Sequence, residues 1–203
     1  MPGKNIVKID VEDTFYHVYN RGVAKMDLFR DEDDYWYFES LIERLLSSEE
    51  AKNRNNRSYP SYAKEVSVHA YCLMPNHFHF LIKQHKIGAV ANFMRSLSTS
   101  YAMYFNKKYN RRGRLYESTY RAIIVDKDEY LMHVSRYIHL NPLGFRSWSH
   151  SSYQDYLYTP RQWISTDFIL DMFSTKKYYL AFVDDYADQN TDSPELERYL
   201  GEF

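Results

Sequence analysis

Two of the eight histidines, His77 and His79, stand two residues apart in the string His77-Phe-His-Phe-Leu-Ile-Lys83. Alternate residues of a β-strand share a face, so the two imidazoles would project together. Phe78, Phe80 and Ile82 would turn to the other face and pack against helices. An imidazole pair of this kind is a metal clamp that still needs a third ligand from another element. The segment Lys127–Pro142 offers one: His133, Tyr137 and Asn141 follow at four-residue intervals and so line one stripe of a helix. An amide oxygen beside two imidazoles suits Mg2+ or Mn2+ better than a structural zinc. Tyr137, one turn before Asn141, would then hold its phenol near the ion. A single cysteine, Cys72, and the lack of a His-Glu-x-x-His spacing argue against the familiar zinc sites.

Each residue also has a plainer reading. With 21 Tyr, 12 Phe and three Trp in the chain, a given tyrosine is more often core than nucleophile. Two alternating histidines on a half-buried strand are structural as readily as functional. His133 and His139, on either side of Tyr137, read as surface residues rather than proton carriers.

These side chains need elements to hold them. Asp13 to Asn20 is β-rich and stops at the Arg21-Gly22 turn signal. Asp31 to Leu46 opens on acids and repeats apolar residues at helical spacing. Ser47 to Ala63 is a polar loop. Glu65 to Met74 and His77 to Gln84 flank Pro75-Asn76 as a hairpin. Ile87 to Tyr109 reads as a long amphipathic helix, and Leu115 to Val125 as a further strand. Asp126 to Glu129 has capping-box spacing and opens a last helix, with Leu131, Val134 and Ile138 as its docking stripe, that ends at Asn141-Pro142. Strand, helix, strand, strand, helix, strand is the split βαβ order of a ferredoxin-like α+β domain, with helices on one face of an antiparallel sheet. This domain is expected over residues 1–150. Residues 151–203 are expected to form a helical extension, with short helices at Asp167–Phe173 and Tyr178–Tyr186 too apolar to be left in water.

At 203 residues, 44% hydrophobic and 26% charged, the chain reads as a soluble globular domain rather than a disordered or low-complexity one. No apolar run is long enough for a membrane helix, no signal peptide is visible, and one cysteine fits a reducing cytoplasm. A net charge of −1 names no partner, but its distribution is uneven. From Lys83 to Arg121 nine basic residues face one acid, Glu117, while acids dominate from Asp184 onward. Lys107, Lys108, Arg111, Arg112 and Arg114, with Arg21 and Arg121 beside the sheet, could neutralise phosphates, and Tyr109, Tyr116 and Tyr120 could stack on unpaired bases. The plainer reading is a solvated basic loop. The acidic run after Asp184 is expected to be mobile, or to lie across the loop at Arg112 and compete with DNA there.

His69-Ala-Tyr-Cys-Leu-Met-Pro-Asn-His-Phe-His79 and Arg136-Tyr-Ile-His-Leu-Asn-Pro142 together resemble the single-tyrosine HUH transposases, above all the REP-associated tyrosine transposases of bacteria. Tyr16-His-Val-Tyr-Asn-Arg-Gly22 resembles that family's first strand, Tyr101–Asn106 its second helix, and Arg112–Arg121 its basic loop and following strand. The resemblance runs from about residue 13 to Val183. Two positions differ: insertion-sequence members commonly carry Gln where Asn141 stands, and a bulky Trp is replaced by Tyr116. The resemblance implies an HUH nuclease core and Tyr137 as nucleophile. It implies His77, His79 and Asn141 as ligands of Mg2+ or Mn2+, and cleavage and rejoining of single-stranded or hairpin DNA through a 5′-phosphotyrosine link. Such proteins occur as monomers and as homodimers. Two other functions stay open on the residues. One is a non-catalytic single-stranded DNA or RNA-binding module with Tyr71 or Phe78 as stacking platforms. The other is a metal-dependent phosphodiesterase that uses water.

Overall fold

A computed structural model of the chain describes residues 10–49, 52, 56 and 58–187. Four antiparallel strands form one sheet: β1 (Thr14–Arg21), β2 (Val66–Met74), β3 (His77–Gln84) and β4 (Arg121–Val125), in the order β2-β3-β1-β4. With β1 central and the β2–β3 hairpin beside it, this is the ferredoxin-like α+β arrangement that the order of elements implies. The last strand is shorter than its apolar run suggests. Residues 115–118 cross the end of β1 instead of pairing along it: Val23 N–H donates to Leu115 O, Glu117 N–H to Arg21 O, and Asn20 Nδ2 to Ser118 O.

Helix α1 (Glu32–Leu46) starts where the acids predict, with the Asp31 side chain accepting from the Asp34 amide. Helix α2 (Ala89–Lys108) is tied to it: Lys108 Nζ reaches Asp31 at 2.6 Å and the buried Asp34 at 2.9 Å. These two helices cover one face, over Phe78, Phe80 and Ile82. The third helix, α3 (Asp128–Leu140), covers the opposite face, so the expectation of helices on a single face is corrected. An amphipathic stripe says that a helix docks, not on which side of the sheet it lands. Its start is corrected too: Lys127 takes the cap position with no side-chain bond, and Asp126 is not the cap.

The residues after 150 share that second face. They form α4 (Tyr153–Leu157), a single turn α5 (Asp167–Leu170) and α6 (Lys176–Ala187). The helix expected at Asp167–Phe173 thus stops at Leu170. Ile169, Tyr179 and Val183 are fully buried against Phe15, Leu81 and Val134. The chain between α3 and α5 also lines the outer edge of β2, with Leu73 N–H donating to His150 O and Ser165 N–H to Val68 O. Among the described residues no helix is long and apolar enough to cross a membrane. The acidic residues from Asp188 onward, with Tyr199 and Leu200, lie outside the described residues.

Candidate active site

The register of β1 against β3 sets His77 opposite Arg21 and His79 opposite Tyr19. Strand alternation then brings His17, two residues before Tyr19, to the same face. Its Nε2 shares a hydrogen bond of 2.9 Å with His79 Nδ1. The hairpin residue Asn76 places its amide oxygen 2.7 Å from His77 Nδ1. On the far side, Asn141 caps the C-terminus of α3 and sets its Oδ1 3.0 Å from His77 Nε2. One turn earlier, the half-buried Tyr137 turns its ring edge-on to His79, with centroids 5.4 Å apart, and to His17 at 6.0 Å. The fold therefore brings Tyr137, His77, His79 and Asn141 together from two elements, β3 and α3 with its C-terminal cap. It adds His17 and Tyr19, which the sequence reading passed over.

The helix that carries Tyr137 is held from below by polar bonds as well as by Leu131, Val134 and Ile138. His139, expected at the surface, is fully buried. Its Nε2 bonds Ser152 Oγ at 2.8 Å and its Nδ1 bonds the Tyr179 hydroxyl of α6 at 2.7 Å. Burial pulls its pKa down to about 3, so the ring is a neutral strut rather than a proton carrier. His133 turns away from the site and accepts from Arg136 Nη2 at 2.7 Å. The Arg136 guanidinium lies over the rings of Phe182 and Tyr186, clamping α6 to α3.

Burial also holds His79 well below its ordinary pKa, with His17 and His77 adding to the effect. His77 is lowered by burial, with the Asn141 bond partly offsetting it. Both imidazoles are therefore neutral, the form that ligates metals. A neutral His77 has one N–H, yet its two nitrogens face two amide oxygens, those of Asn76 and Asn141. A proton on Nδ1 directed at Asn76 leaves a lone pair on Nε2 facing Asn141 Oδ1, a contact that a cation would relieve. Their 3.0 Å separation also matches neighbouring donors around an ion with bonds of about 2.1 Å. Among the described residues no three His, Cys, Asp or Glu side chains converge on one point. Two imidazoles and an amide oxygen, with water, thus make a donor set that fits Mg2+ or Mn2+.

The basic residues divide. Lys107, Arg112 and Arg114 are exposed, and Arg111 is half-buried with Nη1 on Asn106 Oδ1. The charge of Lys108 is answered by Asp31 and Asp34, and that of Arg21 by Glu117 at 2.9 Å. Register keeps Arg21 and Arg121 on the histidine face, opposite His77 and Tyr19 respectively. Tyr109 is fixed by hydroxyl bonds to Asp31 and Asp34, while Tyr116 and Tyr120 are largely buried. Tyr71 and Phe78 are fully buried, so neither is a stacking platform for a base.

The profile of the family described as "Transposase IS200 like" matches residues 11–141, which take in every element from β1 to Asn141. No curated protein matches. Among solved structures, a REP-associated tyrosine transposase bound to a REP hairpin superposes with a TM-score of 0.58 at 10% identity, over 81% of this chain and 90% of that one. A Deinococcus radiodurans protein described as a candidate transposase gives 0.40 at 12% identity, over 66% of this chain and 92% of the other. The first likeness is one of fold. The family match spans both the histidine strand and the tyrosine helix, and the chain belongs to the IS200-like transposase family.

Proposed function

We propose that this transposase cleaves and rejoins single-stranded or hairpin DNA with Tyr137 as its nucleophile, and that residues 1–150 form the catalytic part and 151–203 its extension. The observation that carries this reading is the placement of Tyr137 against His79 and His17 while Asn141, one turn on, touches His77. The Tyr137 phenolic oxygen forms a bond to the scissile phosphorus and gives up its proton. The P–O3′ bond breaks, and the leaving oxygen takes a proton to become a free 3′-OH. The protein keeps the 5′-phosphate, and attack by a 3′-OH on that link reverses the step and rejoins DNA. A divalent cation held by His77, His79 and Asn141 would supply positive charge to the phosphate. Asn76 orients the His77 ring, and Arg21 and Arg121 flank the path of the strand. Lys107, Arg112 and Arg114 offer further phosphate contacts, with Arg111 on Asn106 and Lys108 on Asp31 and Asp34 shaping that surface.

The test is a gel for a covalent protein–DNA adduct, using labelled hairpin oligonucleotides of the kind the fold relative binds, with Mn2+ or Mg2+. Wild type should give the adduct. Tyr137→Phe should lose it while keeping DNA affinity. An adduct that persists in that variant removes Tyr137 from the role, and a free 5′-phosphate product without any adduct would point to water instead.

A further inference from the structure

The imidazole of His17 is fully buried and stands outside the donor set of His77, His79 and Asn141, yet it touches one member of that set. Strand register explains the contact. His79 on β3 pairs with Tyr19 on β1, and His17 lies two residues along β1, diagonal to His79 on the same face. The two rings are 24° from parallel with centroids 5.1 Å apart, and His17 Nε2 meets His79 Nδ1 at 2.9 Å. Neighbours hold both rings at these angles: Tyr19 lies beside each of them, and Tyr137 stands edge-on to each.

A single hydrogen fits between the facing nitrogens, and its position decides what His79 can do. A neutral imidazole carries one N–H. With the hydrogen on His17 Nε2, His79 accepts through Nδ1 and carries its own hydrogen on Nε2, which then has no lone pair for a cation. With the hydrogen on His79 Nδ1, His17 accepts, and His79 Nε2 keeps its lone pair. In both states Nδ1 is taken by the contact with His17, so Nε2 is the nitrogen left to ligate. His77 is built the same way. Asn76 Oδ1 can only accept, so it holds a hydrogen on His77 Nδ1 and leaves Nε2 facing Asn141 Oδ1. We infer that His17 is a positioning residue: by accepting from His79 Nδ1 it fixes the tautomer in which His79 Nε2 can hold the divalent cation. His17 then carries its own hydrogen on Nδ1. A cation on Nε2 draws electron density from the His79 ring and makes Nδ1–H a better donor, so cation binding and the bond to His17 strengthen each other. An imidazole supplies this acceptor without placing a negative charge in a fully buried position. The inference deepens the proposed function and rests on it for the cation site.

Two measurements on the full chain test this. Long-range proton–nitrogen NMR correlations of metal-free protein labelled with 15N-histidine distinguish the tautomers of each ring. The His79 signal, identified by its loss in His79→Asn, should show the hydrogen on Nδ1; a hydrogen on Nε2 overturns the inference. This reading needs no substitution at His17, so it decides the matter even where a variant fails to fold. The second measurement is Mn2+ affinity, read from the EPR signal of the free ion. His17→Phe keeps a buried ring but removes the acceptor, and should weaken Mn2+ binding on the order of 10–100-fold. His17→Glu can accept but not donate, and should recover most of that loss. A packing role predicts the opposite order, since Phe fills the space and Glu brings charge into it. Raising Mn2+ should also restore adduct formation to His17→Phe. His17→Phe that binds Mn2+ like wild type, or folded His17→Glu that binds it more weakly than His17→Phe, overturns the role of His17, while Mn2+ binding and an adduct in wild type still support the cation site and the tyrosine. Wild type that binds no Mn2+ overturns the cation site and the role of His17 together.

Discussion

Under α1 and α2 the sheet buries Phe38, Phe78, Phe80, Phe93 and Tyr101, a nearly pure aromatic and aliphatic layer. Under α3 and the C-terminal segment it buries His17, His69, His79 and His139 among Phe15, Leu81 and Tyr179. The first layer resists water by area alone. The second takes polar rings out of water and must match each with a partner, as His139 is matched by Ser152 and Tyr179. The difference teaches where precision is placed: one face supplies stability, and the other uses desolvation to hold imidazoles neutral and at fixed angles beside Tyr137.

Three experiments can break or sharpen this contrast. The largest effect on stability should come from the apolar face. Phe38 is fully buried, with ring neighbours Tyr101 at 4.9 Å and Phe29 at 5.2 Å. Phe38→Ala should cost about 3–5 kcal/mol and lower Tm on the order of 10 °C, while adduct yield per folded molecule at low temperature stays close to wild type. A matching loss of yield would mean that the two faces are not separable.

On the polar face, activity should fall further than stability. His139→Leu keeps the volume but removes two hydrogen bonds, leaving the Tyr179 hydroxyl on Ser135 Oγ and the Ser152 hydroxyl on the Tyr71 backbone, for about 1–3 kcal/mol of thermal stability. Because it displaces the helix carrying Tyr137, cleavage by the folded protein should drop on the order of 100-fold. A rate that merely tracks the folded fraction would reduce the network to packing.

The third effect is gradual and is read in acid. His69, 4% exposed, bonds Ser67 Oγ through Nε2 and is held by burial at a pKa of about 4. Its folded pKa lies below the ordinary value of about 6.5, so the unfolded chain takes up the proton first. Stability is thus unaffected above pH 6.5 and drains as pH falls from 6.5 toward 4, by about 1.4 kcal/mol per pH unit from this one group. Denaturant titrations of His69→Gln should show a slope shallower by that amount. An unchanged acid limb would assign the loss to other groups.

Much of this was legible in residue spacing. The alternation His77-Phe78-His79 and the stripe Tyr137–Asn141 are local patterns, and strand and helix geometry turn each directly into a shared face. His17 was not legible because its partner is 62 residues away in sequence and is chosen by strand register, which no single segment encodes. The run Leu115–Tyr120 reads as strand because Leu115, Tyr116 and Tyr120 are apolar or aromatic. These three are buried where the segment passes the end of β1, a tertiary role that imitates the local signature. His139 looked superficial because it sits two residues from Tyr137 on a helix whose apolar stripe lies elsewhere. The arrival of Ser152, α4 and α6 makes its side an interior one.

That arrival gives the protein an order of completion during synthesis. All four strands and α3 are present once residue 140 has been made, yet the His139 imidazole waits for Ser152, 13 residues later, and for Tyr179, 40 residues later. Chains emerge from the ribosome N-terminus first, so the helix bearing Tyr137 is the last part of the core to be seated. A nascent or prematurely terminated chain would carry the complete set of His77, His79, Tyr137 and Asn141 on a helix with an open underside. Seating of the helix that bears Tyr137, the proposed nucleophile, thus depends on residues made well after it and is complete only once Tyr179 of α6 has docked.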